Sequence, residues 1–214
     1  MDWIVMRHGE TDWNRERRIQ GVQDVGLNEA GQEQVRQACR QLLQSGLRFS
    51  RIVSSPLVRA RQSAQIAQEV LGLPLLVLPH LRERSFGPLE GKTIAELRRD
   101  YRIDDVEEID GAAFGLETMA QVRQRIRRGF AWLAAAYPAE RLLIITHGSL
   151  IKCIGEMCRQ PAGILPNPGY IRVPARLWSS FATAQTAAAV CENAAPSQGP
   201  YDLRARRVPN VQNV

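Results

Sequence analysis

Two short apolar runs, Trp3-Ile4-Val5-Met6 at the start of the chain and Leu142-Leu143-Ile144-Ile145 far downstream, each give way to a polar loop that carries a histidine. A continuous apolar run bounded by polar turns reads as a strand buried on both faces, because neither side of the pleat is left for water. A sheet of such strands must be covered by helices on both sides, and the intervening sequence supplies them. Asn28 caps a helix whose apolar positions Val35, Ala38, Cys39, Leu42 and Leu43 share one face, with Gly46 as its stop. Arg51 to Ser54 reads as a short strand, and Ser55-Pro56 as the cap and first residue of a helix ending at Gly72. Leu75 to Leu78 is a further strand. Thr93 with Glu96 and Thr118 with Gln121 each match a capping box, the second leading a long helix to Tyr137 before Pro138. Ser149 is placed to cap the helix after the second apolar run. Strands alternating with helices predict an α/β fold with a mostly parallel sheet.

Past Leu165 the character changes. Pro166-Asn167-Pro168-Gly169 is a loop, and Tyr170 to Val173 can form a last strand. From Ala182 onward the chain is rich in alanine and small polar residues and ends basic, which reads as a loosely attached tail, with a fold-completing helix as the alternative. At 214 residues the chain suffices for one well-buried core. Residues 1–165 are expected to be the main domain, with 166–214 its final strand and tail.

No apolar run approaches the roughly eighteen residues of a membrane span, and no leader pattern opens the chain, so a cytoplasmic location and no membrane partner are expected. The net charge of +6 could suit nucleic acid, but the arginines are scattered among glutamates and glutamines. Arg123, Arg125, Arg127 and Arg128 read as a solvated helix face, and no nucleic-acid motif is present. Cys39, Cys153, Cys158 and Cys191 lack metal-ligand spacing and read as free thiols.

The chemistry sits after the two buried strands. Open α/β sheets bind ligands outside the carboxyl ends of their strands, and there stand Arg7-His8-Gly9-Glu10-Thr11 and Thr146-His147-Gly148. Two histidines with an adjacent arginine suit an anionic substrate. Four fragments accompany them: Thr11-Asp12-Trp13-Asn14-Arg15, then Gln20-Gly21 with Leu27-Asn28-Glu29-Ala30-Gly31, then Ser54-Ser55-Pro56-Leu57-Val58-Arg59-Ala60-Arg61, and Leu81-Arg82-Glu83-Arg84-Ser85-Phe86-Gly87-Pro88-Leu89-Glu90-Gly91.

In this order, over about residues 1 to 155, the fragments resemble the histidine phosphatase superfamily, the fold group of the cofactor-dependent phosphoglycerate mutases. The resemblance implies a three-layer α/β/α sandwich, phosphoglycerate mutase-like. It also implies that His8 is the nucleophile and Glu83 the proton donor. An imidazole attacks phosphorus only when neutral, and its ordinary pKa of about 6.5 leaves it largely so at pH 7. Cations at Arg7 and Arg59 disfavour protonation further. Arg7, Arg59 and His147 would surround the phosphoryl group, whose oxygens match guanidinium forks. One such charge pair at 4 Å is worth about 4 kcal/mol at an effective dielectric near 20. Asn14, Gln20, Gly21 and Gly148 complete the expected substrate contacts.

Near-misses remain near-misses. Gly91-Lys92-Thr93 resembles the end of a P-loop, but Phe86 stands where that motif needs glycine. His80 has no motif around it, Arg61 points elsewhere on its helix, and Glu90 competes with Glu83 from the same fragment. Gly26 departs from the family, whose members often have proline there, and predicts a looser loop around Asp24.

Both activities of the family share the phosphohistidine and differ in the acceptor. The stretch from Lys92 to Glu117 is short and acidic, with Asp104, Asp105, Glu107, Glu108 and Asp110, which is poor for holding a second anion. The expectation is a metal-independent phosphomonoester hydrolase with no cofactor, acting on a small phosphorylated metabolite. A phosphoglycerate mutase is the alternative, and an inactive phospho-ligand binder a more distant one. A homodimer is compatible with the sequence, which shows no interface stripe.

Overall fold

The computed structural model describes residues 1–181 apart from 107, 108, 110, 112–114, 161, 162 and 164. The tail after residue 181, with Cys191, and the acidic residues Glu107, Glu108 and Asp110 therefore lie outside the described residues.

Among the described residues, five strands form one sheet: β1 (Asp2–Arg7), β2 (Arg51–Ser54), β3 (Leu75–Val77), β4 (Leu142–Thr146) and β5 (Tyr170–Pro174). Their order is β3-β2-β4-β1-β5. The first four run parallel, and β5 joins antiparallel along β1, Ile171 opposite Val5. Helix α1 (Asp12–Arg15) lies in the loop after β1. The longer helices are α2 (Glu29–Gln44), α3 (Val58–Leu71), α5 (Met119–Ala136) and α6 (Gly148–Met157); α4 (Ile94–Glu96) and α7 (Arg176–Ser179) are short.

The two apolar runs are buried on both faces because their alternate residues feed separate cores. Trp3, Val5, Leu142 and Ile144 pack with Ile126 and Phe130 of α5 and Ile151 and Ile154 of α6. Ile4, Met6, Leu143 and Ile145 pack with Val35 and Cys39 of α2 and Ala60 and Ala64 of α3. Each fully buried Leu or Ile contributes about 1.5–3 kcal/mol by area. The result is a three-layer α/β/α sandwich. A third cluster, Ile19, Phe86, Leu89, Leu97, Val106 and Leu116, stands apart from the sheet, and its Ile19, Phe86 and Val106 line a cavity.

Asn28 caps α2 through Gly31 N–H, and the capping boxes of Thr93 and Thr118 are formed. Gly72 ends α3 with φ of 67°, the left-handed conformation glycine adopts without strain.

Three expectations need correcting. Ser55 does not cap α3: its N–H extends the sheet to the Ile145 carbonyl, and α3 begins at Val58 after Leu57, which makes no side-chain cap bond. The Val58 N–H is met instead by Asp24 Oδ1 at 3.1 Å. Ser149 does not cap α6, because His147 occupies the cap position. Arg125 is not on a solvated face. It is buried, paired with Glu117 at 2.6 Å, since this side of α5 faces the segment around Glu83. Among the described residues, no helix is long and apolar enough to cross a membrane, and Cys39 and Cys158 are free thiols.

Candidate active site

Parallel pairing places β1 and β4 side by side, Arg7 opposite Thr146, so the two histidine loops leave the sheet together. The rings of His8 and His147 lie 5.2 Å apart. His8 is buried, its N–H bonded to the Thr146 carbonyl at 3.0 Å. Its Nδ1 contacts the Gly9 carbonyl at 2.7 Å. A carbonyl only accepts, so Nδ1 carries the proton and Nε2 keeps the lone pair. Glycine is required beside it: a Cβ on Gly9 would meet the Gly31 carbonyl oxygen at 2.3 Å.

Arg59 enters from the first turn of α3. It donates from Nε to His8 Nε2 at 3.3 Å, from Nη2 to the Gly21 carbonyl at 2.7 Å and from Nη1 to the Gln23 carbonyl at 2.8 Å. Arg7 donates from Nη1 to the Leu165 carbonyl, while its buried Nε has no hydrogen-bond partner among the described residues. Burial lowers the Arg59 pKa to about 10, against the opposing pull of Glu83, so the guanidinium stays charged at neutral pH. Burial, then Arg59, then Arg7 hold His8 well below the ordinary imidazole range.

Glu83 lies on a segment, 82–86, that is neither helix nor strand. Its Oε1 accepts from Arg84 N–H at 2.9 Å and its Oε2 from Ser149 N–H at 3.5 Å, which turns the carboxyl toward the start of α6.

A cavity of about 170 Å³ is lined by Arg7, His8, Asn14, Gln20, Gly21, Arg59, Glu83 and Gly148, the expected group with one exception. His147 does not line it. That ring is fully buried, with Nε2 against Ser55 Oγ at 2.7 Å and, among the described residues, no partner for Nδ1. Asn14 Oδ1 accepts from the N–H and the hydroxyl of Thr11, which leaves the amide nitrogen as the end that can serve a ligand. Glu90 turns away to accept from Val22 N–H, Phe86 N–H and Gln23 Nε2. The loop around Asp24 is thus not loose: Glu90, Arg59 and the Asp24 bond to α3 tie it down.

Sequence reading missed several contributors. Arg18, Ile19, Ile94 and Val106 also line the cavity; the three apolar ones carry only a spacing shared with any core, and Arg18 only a charge shared with the many other arginines of the chain. Asn167 donates to the His8 carbonyl at 2.8 Å from a stretch that carries no motif. Among the described residues, no group of His, Cys, Asp or Glu is arranged to hold a metal ion.

The family model described as histidine phosphatase superfamily (branch 1) matches residues 3–161. The chain belongs to the histidine phosphatase superfamily. Within it, this histidine phosphatase-type enzyme is 33% identical to an uncharacterized phosphatase PhoE of Bacillus subtilis over 70% of this chain and 73% of that protein. It is 32% identical to a probable phosphoglycerate mutase GpmB of Escherichia fergusonii over 70% and 71%. The solved mycobacterial glucosyl-3-phosphoglycerate phosphatase complexed with VO3 superposes with a TM-score of 0.67 at 28% identity, covering 80% of this chain and 91% of that one. The phosphoglycerate mutase-like fold and the phosphatase class are those of these relatives.

Proposed function

We propose that the enzyme is a metal-independent phosphomonoester hydrolase that works through a phosphohistidine on His8, with Glu83 as proton donor, on a small phosphorylated metabolite. The observation that carries this reading is the contact of His8 Nδ1 with the Gly9 carbonyl at 2.7 Å. It leaves Nε2 unprotonated beside the Arg59 guanidinium. Such a ring is a nucleophile already in its reactive form, next to the cation its target requires.

A bound phosphoryl group takes donors from Arg59, Arg7 and the Asn14 amide, and these groups stabilise the charge that spreads over the transferring oxygens. The lone pair of Nε2 attacks phosphorus. The P–O bond to the leaving group breaks, and that oxygen keeps the electron pair and takes the Glu83 proton. Water then attacks the phosphohistidine and passes a proton to the Glu83 carboxylate. The P–N bond breaks, its electrons return to Nε2, and inorganic phosphate leaves. The arginines supply the positive charge that a metal brings in other phosphatases.

Asp104 and Asp105 favour hydrolysis over the mutase alternative, because they line the same cavity. A glycerate carboxylate or second phosphate would meet like charge there. The test is phosphate release from a panel of phosphomonoesters in chelator, comparing the wild type with His8→Ala. Release by the wild type alone is expected. Release from no ester, or interconversion of phosphoglycerate isomers in its place, would defeat the hydrolase reading.

A further inference from the structure

We infer that Glu117 and Arg125 form a clamp that positions the proton donor, an inference that rests on the reading of Glu83 above. The backbone of Glu83 belongs to no strand or helix, so no ladder satisfies its carbonyls or fixes its place. Buried carbonyls need donors, and here one guanidinium supplies them. Arg125 donates to the carbonyls of His80 at 2.9 Å, Arg82 at 2.7 Å and Glu83 at 3.2 Å. Its Nε and Nη2 grip Glu117 Oε1 at 2.6 Å and Oε2 at 2.9 Å. All five donors of the side chain are thereby used.

Glu117 completes the clamp from the other side. Its Oε2 accepts from Ser85 N–H at 3.3 Å, its own N–H donates to the Ser85 carbonyl at 2.9 Å, and its carbonyl accepts from Arg84 Nε at 2.9 Å. The residues just before and just after Glu83 are therefore held by one buried ion pair, whose two side chains are 8% and 10% exposed. Neither side chain lines the cavity. Both are positioning residues. What they fix is the distance over which Glu83 hands its proton to the leaving oxygen, a transfer worth about 10²- to 10⁴-fold when well placed.

Leaving-group dependence separates positioning from general damage. An alkyl phosphate departs as a strongly basic alkoxide and needs the proton. 4-Nitrophenyl phosphate departs as a stable anion and scarcely needs it. The ratio of kcat/KM for glycerol phosphate to kcat/KM for 4-nitrophenyl phosphate is measured for the wild type, Glu83→Gln, Arg125→Lys and Glu117→Gln. Lysine keeps the charge opposite Glu117 but has three donors at one point, so the carbonyls lose their fork. Glutamine keeps the shape of Glu117 without its charge. Two variants are used so that one which unfolds, seen by thermal melting, does not stop the test.

The ratio is expected to fall at least about tenfold in each clamp variant, as in Glu83→Gln. Equal losses on both esters, or no loss, in a folded clamp variant while Glu83→Gln lowers the ratio would overturn the clamp alone. An unchanged ratio in Glu83→Gln would overturn the donor reading, and the clamp with it.

Discussion

Asn167, on the connection between α6 and β5, donates its side-chain N–H to the main-chain carbonyl of His8 at 2.8 Å. The same connection accepts from Arg7: its Nη1 reaches the Leu165 carbonyl and its main-chain N–H reaches Gly169. The His8 loop is thus held from a stretch that does not line the cavity. Asn167→Ala leaves the buried His8 carbonyl without that donor, at about 1–3 kcal/mol. Denaturant melts should register this loss, together with a lower kcat/KM. A variant as stable as the wild type would show that the bond does not support the loop.

Acid should weaken the fold through its two site histidines. Burial, then neighbouring cations, hold His8 below the ordinary range; burial, then Arg59, His8, Arg125 and Arg7 do the same for His147. With the folded values below the unfolded value of about 6.5, the unfolded chain binds more protons between them, and stability rises with pH there. Their contribution is fully present above about pH 6.5 and is lost as pH falls from there toward the lowered folded values. Melting temperatures from about pH 8 to about pH 5 should therefore decline, and less steeply in His8→Gln. Parallel slopes for the two proteins would contradict the assignment to His8.

Gly21→Ala should damage both stability and binding. Gly21 has a positive φ of 51°, and a Cβ there would fall 2.1 Å from Glu90 Oε1. Glu90 must then release Val22 or Phe86, and the Gly21 carbonyl that orients Arg59 moves as well. A destabilisation above about 1 kcal/mol is expected, with a raised KM. Wild-type KM in the folded variant would show that the loop does not set the Arg59 position.

The acidic wall should set which esters are accepted. Asp104→Asn combined with Asp105→Asn removes like-charge repulsion at the cavity. kcat/KM should rise several-fold for phosphoglycerates but not for singly phosphorylated neutral sugars, and the gain should shrink at about 1 M salt, where screening is nearly complete. Identical responses from the two substrate groups would remove charge as the basis of selection.

How much of this was legible beforehand follows from the range of the forces involved. Buried strands, capping boxes and the glycine stop at Gly72 are encoded by residues within a turn or two of each other, so pattern and spacing identify Trp3–Met6, Leu142–Ile145, Asn28, Thr93 and Thr118 directly. His8, Arg7, Arg59 and Glu83 were legible because each sits in a short run with its own recognisable neighbours. The family and its chemistry class followed from those runs.

Only the folded chain could decide the rest, because it depends on which distant groups satisfy one another. Arg125 shares its spacing with exposed neighbours on α5, and its burial follows from unpaired carbonyls on another segment, at His80, Arg82 and Glu83. Ser55 has the residue type of a helix cap, yet its hydroxyl is shared between His147 and the Leu57 N–H, and the first N–H of α3, that of Val58, is met by Asp24. The loop near Gly26 reads as loose in isolation and is tied by Arg59 and Glu90. The local alphabet determined the elements and the side chains that gather at the cavity; the satisfaction of buried polar atoms across the fold determined how those side chains are held.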